Sequence, residues 1–292
     1  HLKADSTYGD KTFTDASPSA HTITNNGLQH HIEDDRTANT ALYFDGTSKI
    51  IIPSHADLTP GRRDFTYEAW IKLNGNRNPA TSYMGIIDKW QDGGGTNREF
   101  EFRIDGAVGS SRFYAGADEG GVTGIHPTAT VSDIKEHVWM HVALSRIGGT
   151  AIIFKDGVAL QSQDWSSANI SGGTASLSIG DKDEGNDDSD DYNFHGWMDG
   201  IRITIGMSRY TSGIPTDGQS PAKDYDDGRT SNVSSNTWAT SSTRRYYGIN
   251  THTYLQTTEY STDANTVLLI RGDDAETAND GVNMYGDNGF HL

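Results

Sequence analysis

The chain has 292 residues, with 23 lysines and arginines against 40 aspartates and glutamates, so its formal net charge is −17. That charge excludes a general nucleic-acid binder, which needs a basic surface for phosphate, and it disfavours attachment to an anionic membrane. It fits a soluble protein that binds divalent cations. No apolar run approaches the ~20 residues of a membrane-spanning helix, so we expect no membrane insertion.

Composition narrows the class of protein further. Cysteine is absent, which excludes disulfides, thiolate nucleophiles and cysteine-ligated zinc. Secreted animal proteins of this size usually carry cystines, so a bacterial or viral surface protein, or one assembled in a reducing cytoplasm, is favoured. The content of 33 glycines and 10% aromatic residues predicts an all-β protein with many turns. The chain begins with His1 rather than Met, so we expect it to be a piece of something longer.

In several segments apolar and polar residues alternate with a period of two. This is the pattern of β-strands that have one face exposed to solvent or only lightly covered. They are residues 65–73, 99–104, 138–145 and 201–205. Asp-Gly and Asn-Gly pairs at 45–46, 74–75, 105–106 and 156–157 supply the positive φ of tight turns, and residues 152–160 predict one hairpin. Helical periodicity over 12 or more residues is not convincing anywhere. The body, roughly 40–206, is therefore predicted to be all-β, an antiparallel two-sheet β-sandwich.

The sequence divides into three parts. Residues 1–206 form the predicted sandwich, with a preface at 1–39. Residues 207–265 are rich in serine, threonine, asparagine, aspartate and glycine, which predicts a linker. They also hold many large aromatics, among them Trp238, Tyr246, Tyr247, Tyr254 and Tyr260, so a small β-hairpin arm is the alternative. Residues 266–292 begin with an apolar strand, which either closes the same sandwich or opens a following domain. We therefore expect a sandwich with a polar C-terminal extension.

The opening segments of the body resemble those of laminin-G-like, concanavalin A-like jelly rolls; they are residues 42–46, 50–53 and 64–71. Residues 139–143 with 154–157 resemble the central strand and hairpin of that family, and 178–180 with 196–203 its last signature. The resemblance covers about residues 10–206. It implies a jelly-roll fold and an activity of binding rather than chemistry, commonly of glycans or matrix and often with calcium.

A narrower resemblance concerns the flanking segments. Residues 13–17 with 21–24 are similar to the preface of such domains in large phage structural proteins, and 209–211 with 263–270 to the joints between tandem copies there. This resemblance implies a virion surface, with an extracellular or cell-surface location as the alternative. It also implies that the chain belongs to a larger homo- or hetero-assembly.

The densest acidic segment is residues 181–191. Ca²⁺ accepts ~6–8 oxygen ligands at ~2.3–2.6 Å with loose geometry, so an irregular loop is enough to hold it. The predicted ligands are Asp181, Asp183, Asp187 and Asp188. A ligand from another loop, Asp88 or Asp118, would complete the site. The alternative is a solvated acidic loop.

The resemblance bears on this loop too. Related jelly rolls and pentraxins hold calcium after the corresponding strand, although Lys182 stands here where the pentraxin-like pattern has an acid or amide. The loop is not an EF-hand, because Gly185 replaces a ligand and Tyr192 stands in place of the bidentate glutamate.

Tryptophans and histidines are candidates for a ligand platform, because tryptophan rings stack on sugar faces. His137, Trp139 and His141 form a stripe on one face of a predicted strand. For Trp139 and His141, as for Trp90 and Trp197, packing or a solvent-facing stripe is the first interpretation and sugar binding the second.

Enzymatic patterns are incomplete. Concanavalin-like glucanases place three carboxylates on one strand as E-x-D-x-x-E, but here the pattern starts at Glu33 and Ala38 stands in place of the final acid. Glu99 and Glu101 are expected to share a strand face. The first hypothesis is therefore a non-enzymatic binding and assembly module attaching to glycan or neighbouring subunits. The second is a purely structural repeat of a fibre, capsid decoration or filament, and a glycoside hydrolase is the remote third.

Overall fold

The computed structural model describes residues 9, 11–13, 15, 17–31, 41–74, 83–90, 98–106, 111–117, 134–170, 173–182, 192–210 and 265–270. Within them lie fourteen strands and one short 3-10 helix: β1 (Thr24–Asn26), β2 (Gln29–His31), β3 (Ala41–Asp45), β4 (Lys49–Ile52), η1 (Ala56–Leu58), β5 (Phe65–Leu73), β6 (Tyr83–Trp90), β7 (Arg98–Asp105), β8 (Arg112–Ala117), β9 (Trp139–Ile147), β10 (Thr150–Lys155), β11 (Val158–Asp164), β12 (Leu177–Ile179), β13 (His195–Ile205) and β14 (Thr266–Ile270).

The strands form two antiparallel sheets. The smaller sheet has the order β1-β4-β12-β6-β7-β8, and the larger has the order β11-β10-β9-β5-β13-β3-β2, with β14 beside β13. Both sheets take a strand from the preface, since β1 pairs with β4 and β2 with β3. The predicted all-β, antiparallel two-sheet sandwich is confirmed. No helix in the described part of the chain is long and apolar enough to cross a bilayer.

The predicted hairpin at residues 152–160 is present as β10 and β11. Its turn holds Asp156 at φ 47° and Gly157 at φ 84°. Two successive residues with positive φ match the twist of adjacent strands, which explains why Asp-Gly stands here.

The core lies between the inner faces of the two sheets. The alternating apolar residues of β5, β9 and β13 meet those of β6 and β7, and all of them are buried. Tyr67 of β5 stacks on Phe100 of β7, with ring centroids 4.3 Å apart and planes 9° from parallel. This contact joins the two sheets near their centre.

The sequence predicts that one face of each strand is exposed to solvent or only lightly covered. On the larger sheet, the outer face of β5 is instead buried. Glu68, at the middle of β5, is fully buried there. Its carboxylate accepts hydrogen bonds from Nε of Arg202 at 2.5 Å and from the hydroxyl of Tyr210 at 2.7 Å. Nε2 of His141 lies 3.6 Å from the same group. A buried charge is tolerated because it is paired and hydrogen-bonded.

Residues 206–210 run across this outer face. The hydroxyl of Ser208 lies 2.7 Å from that of Ser145, and the backbone N–H of Arg209 donates to the hydroxyl of Thr66 at 2.9 Å. The ring of Tyr210 stacks on Phe154 with centroids 4.5 Å apart. The start of the polar extension therefore covers the sheet; residues 211–264 of that extension lie outside the described residues.

The ion pair of Glu68 predicts a specific pH dependence. Burial alone would raise the pKa of Glu68, but the charge of Arg202 and hydrogen bonds from His141 and Tyr210 lower this pKa from 4.5 to about 2. A carboxyl with a depressed folded-state pKa stabilises the fold above its unfolded pKa. This contribution is lost as the pH falls from about 4.5 towards 2.

We therefore expect Glu68→Gln to lower the free energy of unfolding at neutral pH by about 3–5 kcal/mol, because the substitution leaves Arg202 buried without its counter-charge. The variant should also lose stability less steeply than the wild type on acidification. Denaturant unfolding at several pH values measures both effects. Tyr210→Phe is the matched control, since it removes one hydrogen bond but keeps the carboxylate and its ion pair with Arg202, which is the largest of the influences that lower the pKa. Parallel acid profiles for Glu68→Gln and wild type would contradict the assignment.

Candidate functional site

The acidic segment begins where β12 ends. Gly180 has φ 83°, and a Cβ there would lie 2.1 Å from the ring of Phe44, so only glycine fits. The turn brings Asp181 beside the neighbouring strand β4, where its Oδ2 accepts a hydrogen bond from Nζ of Lys49 at 2.6 Å. Asp181 is thus fixed by the sheet itself rather than extended into solvent, and its side chain is only 5% exposed.

Gly85 on the adjacent strand β6 lies next to Asp88 and to the backbone of Asp181, and we call the site between these three residues the cradle. A Cβ at this position would lie 2.6 Å from Oδ2 of Asp88 and 2.8 Å from the backbone carbonyl oxygen of Asp181. The missing side chain at residue 85 therefore lets two oxygen atoms from different elements approach one point. The sheet has a bulge between Gly85 and Ile87, which allows Gly85 and Asp88 to contribute to the same surface.

Asp88 is fully buried, and its two carboxylate oxygens differ in their contacts. Oδ1 accepts a hydrogen bond from the backbone N–H of Phe102 at 2.9 Å, whereas Oδ2 has no hydrogen-bond partner among the described residues. The hydroxyl of Ser178, the cross-strand neighbour of Asp88, is also buried and has no partner in this part of the chain. Burial, and then the negative charge of Glu101, raise the pKa of Asp88 well above its ordinary value. Oxygen atoms in this state fit a hard divalent cation.

The predicted calcium ligands are therefore only partly placed. Asp181 lies at the cradle, and Asp88, one of the two proposed completing ligands, lies beside it. Asp183, Asp187, Asp188 and Asp118 lie outside the described residues.

Lys182, which interrupts the acidic pattern, turns towards aromatic rings. Its Nζ lies 4.4 Å from the centroid of Tyr192 and 5.4 Å from that of Trp90. The ring of Tyr192 in turn stacks on Tyr83, with centroids 5.0 Å apart and planes 12° from parallel. Trp90, Tyr192 and Tyr83 are half-buried. The aromatic rings and Lys182 form one continuous row.

Arg103 extends this row across β7. Its guanidinium lies 4.2 Å from the ring centroid of Tyr114, 4.8 Å from that of Tyr83 and 5.6 Å from that of Tyr192. The carboxylate of Glu101 pairs with Arg103 and accepts a hydrogen bond from Tyr114. Burial and the charge of Glu101 raise the pKa of Tyr114 to about 12, so its hydroxyl stays a donor.

We call this row the aromatic–cation face, defined by residues Trp90, Lys182, Tyr192, Tyr83, Arg103 and Tyr114. Sequence reasoning found only Trp90 among them as a binding candidate. The one sequence signal for another member of this face was the alternation of residues 99–104, which predicts that Arg103 points away from the apolar side of its strand. The tyrosines come from separate strands and from residue 192, so their proximity was not visible in the sequence.

The other predicted platform residues lie elsewhere. Trp139, His141 and Trp197 are on the outer face of the larger sheet, with exposures of 7%, 2% and 7%. Trp70 packs with both tryptophans and meets His141 with ring centroids 5.3 Å apart. This placement differs from an open platform, because neighbouring side chains cover the rings. The structure does not bring these three residues together with Trp90, which is on the smaller sheet.

The two glutamates of β7 do not act as a pair. Glu99 is fully buried, forms an ion pair with Lys89 and lies within hydrogen-bond distance of the hydroxyl of Thr59. Glu101 instead contacts Arg103 and Tyr114. The expectation that both share one strand face is not met by these contacts.

The fold is an antiparallel two-sheet β-sandwich. A family model described as Laminin_G_3, concanavalin A-like lectin/glucanases superfamily, matches residues 37–205. The match covers more than half of the chain, and the chain belongs to this family. No curated protein matches the sequence.

Solved structures with a similar fold come from several organisms. Domain 4 of AbnA, a GH43 extracellular arabinanase from Geobacillus stearothermophilus in complex with arabinotriose, is 19% identical with a TM-score of 0.43, covering 63% of this chain and 81% of that chain. The binding domain of Paraclostridial Mosquitocidal Protein 1 is 16% identical with a TM-score of 0.48, covering 65% and 47%. The heptameric SAP-like pentraxin from Limulus polyphemus is 15% identical with a TM-score of 0.41, covering 58% and 76%. The chain spans about half the length of the mosquitocidal binding domain.

The cradle makes Gly85 sensitive to substitution. We expect Gly85→Ala to destabilise the fold by about 1–3 kcal/mol, because the added methyl group overpacks a site bounded by backbone. Thermal or denaturant unfolding measures the loss.

Gly116→Ala is the matched control, because it lies in the same sheet and its Cβ would meet an atom at the same distance, 2.6 Å. That atom is the hydroxyl oxygen of Tyr114, which belongs to a side chain and not to the backbone. Equal losses for the two variants would show that backbone crowding at Gly85 is not the cause.

Proposed function

We propose that the chain is a non-enzymatic glycan-binding module and that its binding surface is the aromatic–cation face of the smaller sheet. The observation that carries this proposal is the row of half-buried rings with a guanidinium and an ammonium group between them. Membership of a lectin-type family supports the same class of function. The setting we propose is a virion surface or another extracellular surface, where the module belongs to a larger assembly and also contacts neighbouring subunits.

The chemistry of the face suits sugars. The C–H face of a pyranose or furanose ring is apolar and packs on an aromatic ring, while its hydroxyls need hydrogen-bond partners at the edge. Tyr83 and Tyr192 supply aromatic rings, and Arg103 and the hydroxyl of Tyr114 supply polar groups next to them, both oriented by Glu101. The arrangement recognises flat, hydroxyl-rich ligands.

We propose that Ca²⁺ binds at the cradle beside this face. Within the described residues, Oδ2 of Asp88 and the carbonyl oxygen of Asp181 would be ligands, and the predicted Asp183, Asp187 and Asp188 would supply the rest. The support is the buried carboxylate oxygen of Asp88, which has no hydrogen-bond partner within the described residues. When bound, the ion would neutralise carboxylates that otherwise repel each other, and it could bind sugar hydroxyls.

The absence of catalysis is part of the proposal. A glycosidase needs a carboxylate pair ~5–9.5 Å apart that flanks the sugar and is open to it. Glu99 and Glu101, the pair that the sequence suggested, are buried and engaged by Lys89 and Arg103 respectively. Their contacts favour structural roles.

One substitution tests whether the aromatic–cation face binds glycans. We expect Tyr192→Ala to weaken binding to an array of neutral and acidic oligosaccharides at least tenfold, because it removes a stacked ring and the contacts of Arg103 and Lys182; a loss of ~1.4 kcal/mol corresponds to that factor. Tyr43→Ala is the matched control, since Tyr43 is also half-buried but packs on Trp197 in the larger sheet.

Equal binding by Tyr192→Ala and wild type would move the binding site elsewhere. No binding of the wild type to any oligosaccharide would favour the purely structural role.

Calcium is tested separately by melting. Adding millimolar Ca²⁺ to chelator-treated protein should raise the melting temperature by linkage. Asp88→Asn should abolish this shift, because a neutral amide replaces the buried carboxylate. Asp164→Asn is the control, since Asp164 is exposed on β11. Identical wild-type melting curves in chelator and in calcium would exclude the cation site while leaving the glycan proposal intact.

A further inference from the structure

Two histidines and one aspartate meet at the surface, away from the aromatic–cation face. They are His21 of the preface, His55 and Asp57. One ligand atom from each, an imidazole nitrogen or a carboxylate oxygen, lies within 4.8 Å of the other two. Residues 21 and 55 are far apart in sequence, so the fold creates this cluster.

His21 is held in place before any ion binds. The buried carboxylate of Asp15 accepts hydrogen bonds from the backbone N–H groups of Ser17 and His21, both at 2.8 Å, and from the hydroxyl of Ser17. The imidazole of His21 is 6% exposed, and its Nε2 has no hydrogen-bond partner among the described residues although it lies 3.2 Å from Oδ1 of Asp57. A ring nitrogen this close to a carboxylate oxygen is stable when either a proton or a metal ion lies between the two atoms.

His55 and Asp57 are presented by the short helix η1. His55 is the N-cap, and its carbonyl accepts a hydrogen bond from the backbone N–H of the buried Leu58 at 3.1 Å. Nδ1 of His55 contacts Oδ1 of Asp57, while the hydroxyl of Ser19 bonds to the same carboxylate. The imidazole of His55 is 60% exposed. It can therefore move by the small distance that a shared ion requires.

We propose that His21, His55 and Asp57 form a binding site for a divalent transition metal ion, with Zn²⁺ as the occupant. Two imidazole nitrogens and one carboxylate are a standard zinc donor set, with bonds of about 2.0–2.2 Å. In a tetrahedral site with such bonds the ligand atoms lie ~3.3 Å apart, close to the 3.2 Å between His21 and Asp57. Water completes the four-coordinate shell. Nitrogen donors disfavour Ca²⁺ and Mg²⁺, which prefer oxygen.

The ion would have a structural consequence. It would tie the preface, through His21, to the connection between β4 and β5, through His55 and Asp57. The competing arrangement is an ion pair between a protonated His21 and Asp57, which needs no metal. Zinc binding distinguishes the two, because only the metal site depends on the exposed His55 as a third ligand.

The test uses the full chain after treatment with chelator. Calorimetric titration with Zn²⁺ should give one tight site per chain, and Co²⁺ in its place should give the visible absorption of a four-coordinate ion. His55→Asn should lower the affinity for Zn²⁺ by ~100-fold. Removing a group that only hydrogen-bonds to a metal ligand typically costs 10–100-fold in affinity, and removing a ligand itself should cost at least as much. The asparagine keeps an N-cap acceptor for η1, so the fold should be retained.

His137→Asn is the matched control, because His137 is exposed, lies outside the cluster and has φ 60°, a conformation that asparagine tolerates. This variant should bind Zn²⁺ as the wild type does, and millimolar Ca²⁺ should not compete. Equal zinc affinity in His55→Asn and wild type, or no tight site at micromolar Zn²⁺, would overturn the proposal. Neither outcome bears on glycan or calcium binding, which involve other residues.

Discussion

The buried charge of Glu68 determines which surface of this sandwich is closed. A carboxylate at the centre of the outer face of the larger sheet would be very unfavourable without compensation. Arg202 on β13 and the hydroxyl of Tyr210 provide that compensation, and Tyr210 reaches it only because residues 206–210 run back across the sheet. The carboxylate of Glu68 holds Tyr210 in place, and residues 206–210 in turn shield this carboxylate from solvent. Packed tryptophans cover a further part of the same face.

The smaller sheet has the opposite electrostatic arrangement. Asp88 is as deeply buried as Glu68, yet one of its oxygens has no hydrogen-bond partner among the described residues, and its pKa is raised rather than lowered. Glu68 is stabilised in its charged form by Arg202 and Tyr210, whereas the charged form of Asp88 is disfavoured. A buried acid whose charged form is unfavourable is typical of sites that bind a cation or a ligand. This contrast between two equally buried carboxylates is the reason that we propose the functional surface on the smaller sheet.

The sequence predicted the strands well because period-two alternation and Asp-Gly turns are local signals. Asp156 and Gly157 illustrate this, since two residues determine the turn of the β10–β11 hairpin. The burial of both faces of β5 was not predictable, because Tyr210 is more than a hundred residues from Glu68. Of the candidate site, Asp181 and Asp88 were recognised from their charge. The cradle was not, because it depends on a bulge in β6 and on the absence of a side chain at Gly85.

Donor chemistry separates the two proposed cation sites. The cradle of Asp88 and Asp181 offers only oxygen atoms, which suits a hard ion with loose geometry, whereas His21 and His55 offer nitrogen, which suits zinc. Both sites lie where an irregular segment meets the regular sheets, at the turn after β12 and at the preface before β1. In both segments the described residues next to the sheets are already anchored, since Asp15 and Ser17 of the preface and Asp181 after β12 are buried. An ion at each site would therefore add a second crosslink, to β6 in one case and to η1 in the other, at a position that the rigid sheets have already fixed.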